Sequence, residues 1–221
     1  NIANQFGRVN TVGRAFGVLK LQDGSGFDID ISLPRTDSKI GEGHHEFEVK
    51  FDTDMSIKEA ARRRDFTFNA LAKDPLTGEI FDPFNGVEDL RTRTLRATDF
   101  ERFQDDPLRV MRAGQFVGRF GMNIAPDTMK LMQEMVQRPE CAQLPKERMR
   151  EEWEKLLLKS ERPSMGLQTL LSLGVIEKLY PELAGLEHTP QEFAWHPEGD
   201  VWIHTLMVAD SAREVVRREQ L

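Results

Sequence analysis

The sequence is short of cysteine and tyrosine, with one of each in 221 residues. The single cysteine, Cys141, excludes an intrachain disulfide and a cysteine-rich zinc site, and it fits a reducing, cytoplasmic setting. No apolar run approaches the roughly 20 residues a membrane helix needs. A basic stretch leading into an apolar segment, the mark of a secreted chain, is missing at the start. Internal repeats and low-complexity segments are missing too. Positive charge is in deficit: 30 Lys and Arg against 37 Asp and Glu leave a net charge of −7. That excludes a protein that coats nucleic acid without specificity, but it leaves room for a local basic patch. What is present is a 39% hydrophobic content, enough to fill a core and to exclude wholesale disorder. The length suits one large domain or two to three small ones. Because the chain opens at Asn1 and stops at Leu221 inside a predicted helix, it reads as a piece of a longer protein.

The first part reads as α/β. A strand with glycines is predicted over Val12–Leu21, then a turn at Asp23–Gly26 and an alternating strand over Phe27–Leu33. Residues 36–50 are polar and include Gly41, Gly43, His44 and His45, which predicts a mobile loop with solvent-exposed histidines. Ser56 and Glu59 have the spacing of a capping box at the head of a helix. Turns follow at Asp74–Gly78, between two short strands, and at Asp82–Gly86. From Phe100 the pattern is helical. Leu108, Met111, Ala113, Phe116 and Phe120 recur at helical spacing up to a stop at Gly121. Further helices are predicted over Ala125–Gln137, Lys146–Lys159, Ser164–Ser172 and Trp202–Glu219.

The most specific stretch runs Arg62-Arg63-Arg64-Asp65-Phe66-Thr67-Phe68-Asn69-Ala70. If it is helical, Asp65 and Asn69 at i and i+4 project from one face with arginines one turn earlier. Guanidinium forks neutralise phosphate oxygens, and a carboxylate with an amide can read sugar hydroxyls, so the cluster suits a nucleoside triphosphate. The alternative is a solvated charge run at a helix end, favoured by the negative C-terminal dipole.

Four strings in order decide between these readings. They are the stretch just quoted, Asp82-Pro83-Phe84-Asn85-Gly86-Val87-Glu88-Asp89-Leu90, Glu101-Arg102-Phe103-Gln104-Asp105-Asp106-Pro107-Leu108-Arg109-Val110-Met111-Arg112-Ala113, and Lys146-Glu147-Arg148-Met149-Arg150-Glu151-Glu152. In that order they resemble the RRDFTxNA, DPxxGxxDL, ERFxxDPLRxxRA and ERIxxE elements of class II tRNA nucleotidyltransferases and the related bacterial poly(A) polymerases. Phe68 stands where Ile is usual, and Gln115 where Arg is usual, which puts one basic contact in question.

The resemblance implies an α+β protein, with a partial polymerase-β-like nucleotidyltransferase head lacking its N-terminal part and an all-α neck and body. The implied domains are a head at 1–98, a nucleotide-selecting and RNA-binding neck at 99–162, and a body at 163–221 leading into a truncated HD-type domain. The implied activity is addition of C and A, as CCA or part of it, to the tRNA 3′ end from CTP and ATP without a template. By this resemblance Arg63 and Arg64 hold the triphosphate, and Asp65 with Asn69 holds the ribose. Asp105, Asp106 and Arg109 face the base, supported by Arg112. An Asp accepts from an exocyclic amine and an Arg donates to a ring nitrogen or carbonyl, so such a pair can select C and A. Asp106, just before Pro107, is equally a natural helix cap.

The metal site is harder to place. Asp28 and Asp30 lie on one face of a strand, as a metal pair requires, but no Gly-Gly turn precedes them as it does in the family. Counted back from Arg35, Asp30 instead matches a supporting carboxylate for Mg²⁺, and Asp52 and Asp54 belong to the loop before Ser56. The main aspartate pair is expected upstream of Asn1, and the chain alone is expected to bind nucleotide weakly and not to extend RNA.

Residues 91–120 carry seven arginines against four acidic residues, a basic surface suited to an acceptor stem. The segment His196-Pro197-Glu198-Gly199-Asp200-Val201-Trp202-Ile203-His204 resembles the opening of an HD-type phosphohydrolase domain, with His204 as first ligand of a transition metal. His196 is read as shaping a turn. Poly(A) addition, a phosphohydrolase role dominated by the C-terminal segment, and a catalytically dead RNA-binding module are the rival readings. No membrane association is expected.

Overall fold

The computed structural model describes residues 3–10, 18–22, 25, 28–39 and 47–219. The chain divides into two compact units, Asn1–Arg63 and Arg64–Leu221. In the first, β1 (Arg8–Asn10), β2 (Val18–Gln22) and β3 (Asp28–Ser32) form an antiparallel sheet in that order. Its register sets Leu21 opposite Ile29 and Lys20 opposite Asp30. Of the predicted Val12–Leu21 strand, residues 12–17 lie outside the described residues, as do Asp23, Gly24 and Gly26 of the turn.

Of the loop that polarity predicts over residues 36–50, the described parts, 36–39 and 47–50, are strand. β4 (Arg35–Lys39) and β5 (Phe47–Phe51) pair antiparallel, Arg35 opposite Phe51 and Lys39 opposite Phe47. Phe47, Val49 and Phe51 alternate with Glu48 and Lys50, a period-two signal masked by an all-polar partner strand. The expected exposed histidines, His44 and His45, lie outside the described residues. The helix predicted from Ser56 is α1 (Ile57–Arg62), whose first turn is capped as expected, the Glu59 N–H donating to Ser56 Oγ at 3.1 Å. Asp52 and Asp54 lie in the turn before it, with Asp54 N–H bonded to Asp52 Oδ1 at 2.9 Å.

A second correction concerns Asp65 to Asn69, which do not continue a helix. Phe66 is extended (φ −117°, ψ 152°) and fully buried. Its backbone bridges Ala97, with Thr67 N–H donating to Arg96 O and Thr98 N–H to Asp65 O. Aromatic and β-branched residues are weak helix formers. Here packing of Phe66 edge-on against Phe103 and Phe116, at 5.4 and 5.6 Å, outweighs what propensity remains. One 3₁₀ turn, Thr67–Ala70, follows.

The remaining predicted turns and helices fall close to expectation, and short elements that were not predicted lie between them. β6 (Ala72–Lys73) and β7 (Ile80–Phe81) pair across the predicted turn, in which Asp74 Oδ1 accepts from the Leu76 and Thr77 N–H groups. Asp82 accepts from Gly86 and Val87 N–H at the head of α2 (Gly86–Arg91). β8 (Thr94–Leu95) pairs in parallel with β9 (Asn123–Ile124). Asp99 caps α3 (Phe100–Phe103), and Gly121, left-handed at φ 60°, ends α4 (Leu108–Phe120). Then come α5 (Pro126–Gln137), α6 (Lys146–Lys159), α7 (Pro163–Ser172), α8 (Val175–Leu179), α9 (Pro181–Ala184) and α10 (Val201–Glu219).

Helix α4 is the axis of the second unit. Val110, Met111, Ala113, Phe116 and Val117 are buried along it, and α6 and α7 pack on it. Gly114 of α4 and Gly166 of α7 meet so closely that a Cβ at Gly166 would overlap the Gly114 carbonyl oxygen. Gln115, in the position of a usual Arg, is buried and accepts from Arg119 at 3.1 Å. Arg162, ahead of α7, offers no side-chain cap. Instead Asp210 of α10 accepts from Ser164 N–H at 2.9 Å and Ser164 Oγ–H at 2.6 Å, capping α7 from a distance. Asp210→Ala is therefore expected to cost about 2 kcal/mol, a fall of about 5 °C in Tm; an unchanged melting curve would refute that capping role. Among the described residues no helix is long and apolar enough to cross a membrane.

Candidate functional site

Asp65 is the node of the site. Only 8% exposed, it accepts from Phe66 N–H at 2.8 Å and Asn69 Nδ2 at 3.0 Å through Oδ1. Through Oδ2 it accepts from Arg112 Nε at 2.7 Å, and a terminal nitrogen of the same guanidinium lies 2.7 Å from that oxygen as an ion pair. The expected meeting of Asp65 and Asn69 is present, but the extended Phe66 and the 3₁₀ turn create it rather than one helix face. The bond to Arg112 joins two strings 47 residues apart, and the Arg112 guanidinium also lies over the Phe116 ring at 5.4 Å.

Asp105 and Asp106 lie in the turn before α4, and Arg109 in its first helical turn. Arg109 donates to Arg102 O at 2.6 Å, with its guanidinium 5.5 Å from the Phe103 ring centroid. Burial pulls its pKa below the ordinary arginine value, opposed by the negative charges of Asp106, Asp65 and Asp105. Asp106 takes the capping role that its place before Pro107 offers, and it also pairs with Arg148. Oδ1 accepts from Leu108 N–H at 3.2 Å as a cap, and both oxygens accept from Arg148 of α6, at 3.3 and 2.7 Å. Asp105 is exposed, 3.8 Å from Arg102.

Two members of this network were not singled out by sequence reasoning as site residues. Arg148 is one; Glu152, one turn further along α6, is the other. Glu152 is 2% exposed, accepts from Lys155 Nζ at 2.7 Å and lies 3.7 Å from Arg112. Its Oε2 is buried without a protein hydrogen-bond partner. Both sit in the fourth quoted string, but pairings over 40 residues leave no trace in local periodicity.

The remaining predicted residues stand elsewhere. Arg63 caps the C-terminus of α1 at the end of the first unit, and Arg64 is exposed at the start of the second. Asp30 and Asp28 are exposed on β3, two residues apart and so on one face. Several arginines of the expected basic surface are engaged: Arg91 with Glu88, Arg96 with Asp89 and Asp127, Arg102 with Asp105. His204 does not stand alone. Glu198 Oε1 lies 2.6 Å from His204 Nδ1 and 3.1 Å from His196 Nδ1, so the turn-shaping role read for His196 is incomplete. Its own backbone N–H and the two imidazoles hold the Glu198 pKa down to about 2.

The antiparallel head, the Asp65 node and the helical region around α4 have the fold of a nucleotidyltransferase head followed by its helical neck. Residues 1–96 match the family described as poly A polymerase head domain, and residues 121–186 the family described as probable RNA and SrmB-binding site of polymerase A. The multifunctional CCA protein of Xanthomonas campestris pv. campestris is 40% identical over 197 residues, 87% of this chain and 47% of the relative. That of Vibrio vulnificus is 40% identical over 189 residues, 84% and 46%. Among solved structures, the Bacillus stearothermophilus CCA-adding enzyme in complex with CTP aligns with TM-score 0.68 at 34% identity, covering 82% of this chain and 42% of that one. The Thermotoga maritima CCA-adding enzyme complexed with tRNA aligns with TM-score 0.62 at 28% identity, covering 80% and 38%. The chain spans about half the length of the curated relatives it matches. It belongs to the family of class II CCA-adding enzymes and poly(A) polymerases.

Proposed function

We propose that the protein is a template-independent nucleotidyltransferase that adds C and A, as CCA or part of it, to the 3′ end of tRNA from CTP and ATP. The carrying observation is the Asp65–Arg112 ion pair, which ties the Arg-Asp-Asn motif to the helix bearing Arg109. Relatives named multifunctional CCA protein, and related structures solved with CTP, ATP and tRNA, support it.

In this reading Arg63 and Arg64 neutralise triphosphate oxygens. Asn69, with one amide hydrogen held by Asp65, keeps its carbonyl oxygen and second amide hydrogen for ribose hydroxyls. Asp106 uses three acceptor positions on Leu108 and Arg148, leaving about one of its four for an exocyclic amine. Arg109 donates to the neighbouring ring nitrogen or carbonyl, with Asp105 beside it and Arg112 holding the arrangement to Asp65. Cytosine and adenine present amine and acceptor side by side; guanine and uracil reverse the order, setting a carbonyl against the Asp106 carboxylate. Asp30, an exposed carboxylate sharing a strand face with Asp28, has the oxygen chemistry Mg²⁺ prefers. When bound, Mg²⁺ supplies charge neutralisation on the triphosphate and activation of the attacking hydroxyl. The functional division is head 1–98, neck 99–162 and body 163–221, in a cytoplasmic setting, with His204 a metal ligand of the HD-type segment.

The test supplies the protein in its full natural length with tRNA lacking its 3′ end and all four nucleotides, and sequences the products. Ends of C, CC or CCA are expected on tRNA and not on unstructured RNA. Runs of A on any RNA would point to poly(A) addition, and incorporation of G and U at equal rates would overturn the reading.

A further inference from the structure

The segment before α10 brings together three side chains from nine residues of sequence. Glu198 Oε1 lies 3.1 Å from His196 Nδ1 and 2.6 Å from His204 Nδ1, and the two imidazoles meet edge to face at 4.8 Å between centroids. Ligand atoms from all three lie within 4.8 Å of one another. We propose that His196, Glu198 and His204 form a binding site for a divalent transition-metal ion of the zinc class.

Donor chemistry points to that class. Two imidazoles with one carboxylate suit Zn²⁺, Co²⁺ and Ni²⁺; Mg²⁺ and Ca²⁺ take mostly oxygen. Ligands about 2.0–2.2 Å from an ion are roughly 3 Å apart, close to the two separations to Glu198. The side chains are partly open, at 35%, 17% and 39% exposure for His196, Glu198 and His204, so an ion has access and the rings have room to turn.

The backbone around the cluster is tied down, which lowers the cost of assembling it. Trp195 and His196 N–H groups both donate to Glu192 O, Gly199 N–H donates to His196 O, and Val201 N–H to Thr189 O. Asp200 accepts from Ile203 N–H at 2.9 Å, fixing the first turn of α10 that carries His204. Gly199 at φ 129° makes the bend between Glu198 and the helix, a conformation L side chains rarely adopt. On binding, any proton on a ligating nitrogen goes to solvent; the metal is neither oxidised nor reduced.

This inference deepens the proposed ligand role of His204 and rests on it. The test titrates Co²⁺ and Zn²⁺ into the untagged, metal-stripped protein, following stoichiometry and the visible Co²⁺ absorption. One equivalent is expected, with intensified bands typical of low coordination number. His204→Ala should abolish binding, and His196→Ala and Glu198→Gln should each weaken it at least 10-fold, while His188→Ala leaves it unchanged and all variants keep the wild-type circular dichroism. If His204→Ala alone removes binding and the other two variants bind like wild type, the three-residue site falls and the role of His204 stands. If wild type takes up no metal, or His204→Ala has no effect, both fall.

Discussion

Arg112→Met is expected to destabilise the protein by about 3 kcal/mol, because it leaves the buried Asp65 carboxylate without its cation. The value sits at the low end for a broken buried pair, since Arg112 is 30% exposed and Asp65 keeps two other donors. Asp65→Asn preserves shape and an acceptor for Phe66 N–H but removes the charge; about 2 kcal/mol is expected. The two changes should not add. In a double-mutant cycle read by urea unfolding, the coupling should exceed about 1 kcal/mol, whereas additivity within about 0.5 kcal/mol would show that the pair contributes nothing of its own. Activity should fall further than stability accounts for, by about 100-fold, because in the proposed reading the pair fixes the geometry linking the groups assigned to ribose and base.

Gly166→Ala is the second large effect, and its sign is diagnostic. On an exposed helix face the change stabilises by about 1 kcal/mol. Here the new methyl would overlap the Gly114 carbonyl oxygen and Leu156 Cδ1, and backbone cannot turn aside as a side chain can. Overpacking of this kind costs about 1–3 kcal/mol, so a net loss near 2 kcal/mol and a fall of about 5 °C in Tm are expected. Because α4 carries Arg109 and Arg112, the variant should also weaken nucleotide use below its melting temperature. A rise in Tm would mean that α4 and α7 do not approach as described.

What could be read from the sequence was what is written locally. Helix α6 was legible to the residue, and the Pro126 and Pro163 starts of α5 and α7 lay one residue from prediction. The Ser56 cap and the Asp74 turn follow from side chains acting within five residues of themselves, and the Gly121 stop from a left-handed backbone that glycine adopts without strain. The β4–β5 pair was missed because only one of its strands carries an apolar alternation. The conformation of Asp65–Asn69 was misread because Phe66 is set by rings contributed from α3 and α4. For the same reason Asp65 and Asn69 were rightly associated and wrongly placed on a helix. Arg148, Glu152 and the meeting of His196 and Glu198 with His204 depend on where the chain returns in space.

The central claim is that one protein-built cradle, joined through Asp65 and Arg112, chooses the nucleotide by its Watson–Crick edge. Calorimetric titration of CTP, ATP, GTP and UTP into the protein, before and after Arg109→Ala, tests it most directly. The account predicts at least 10-fold tighter binding of CTP and ATP than of GTP and UTP, and loss of that margin in the variant. Four equal affinities, or a margin that survives Arg109→Ala, would contradict it.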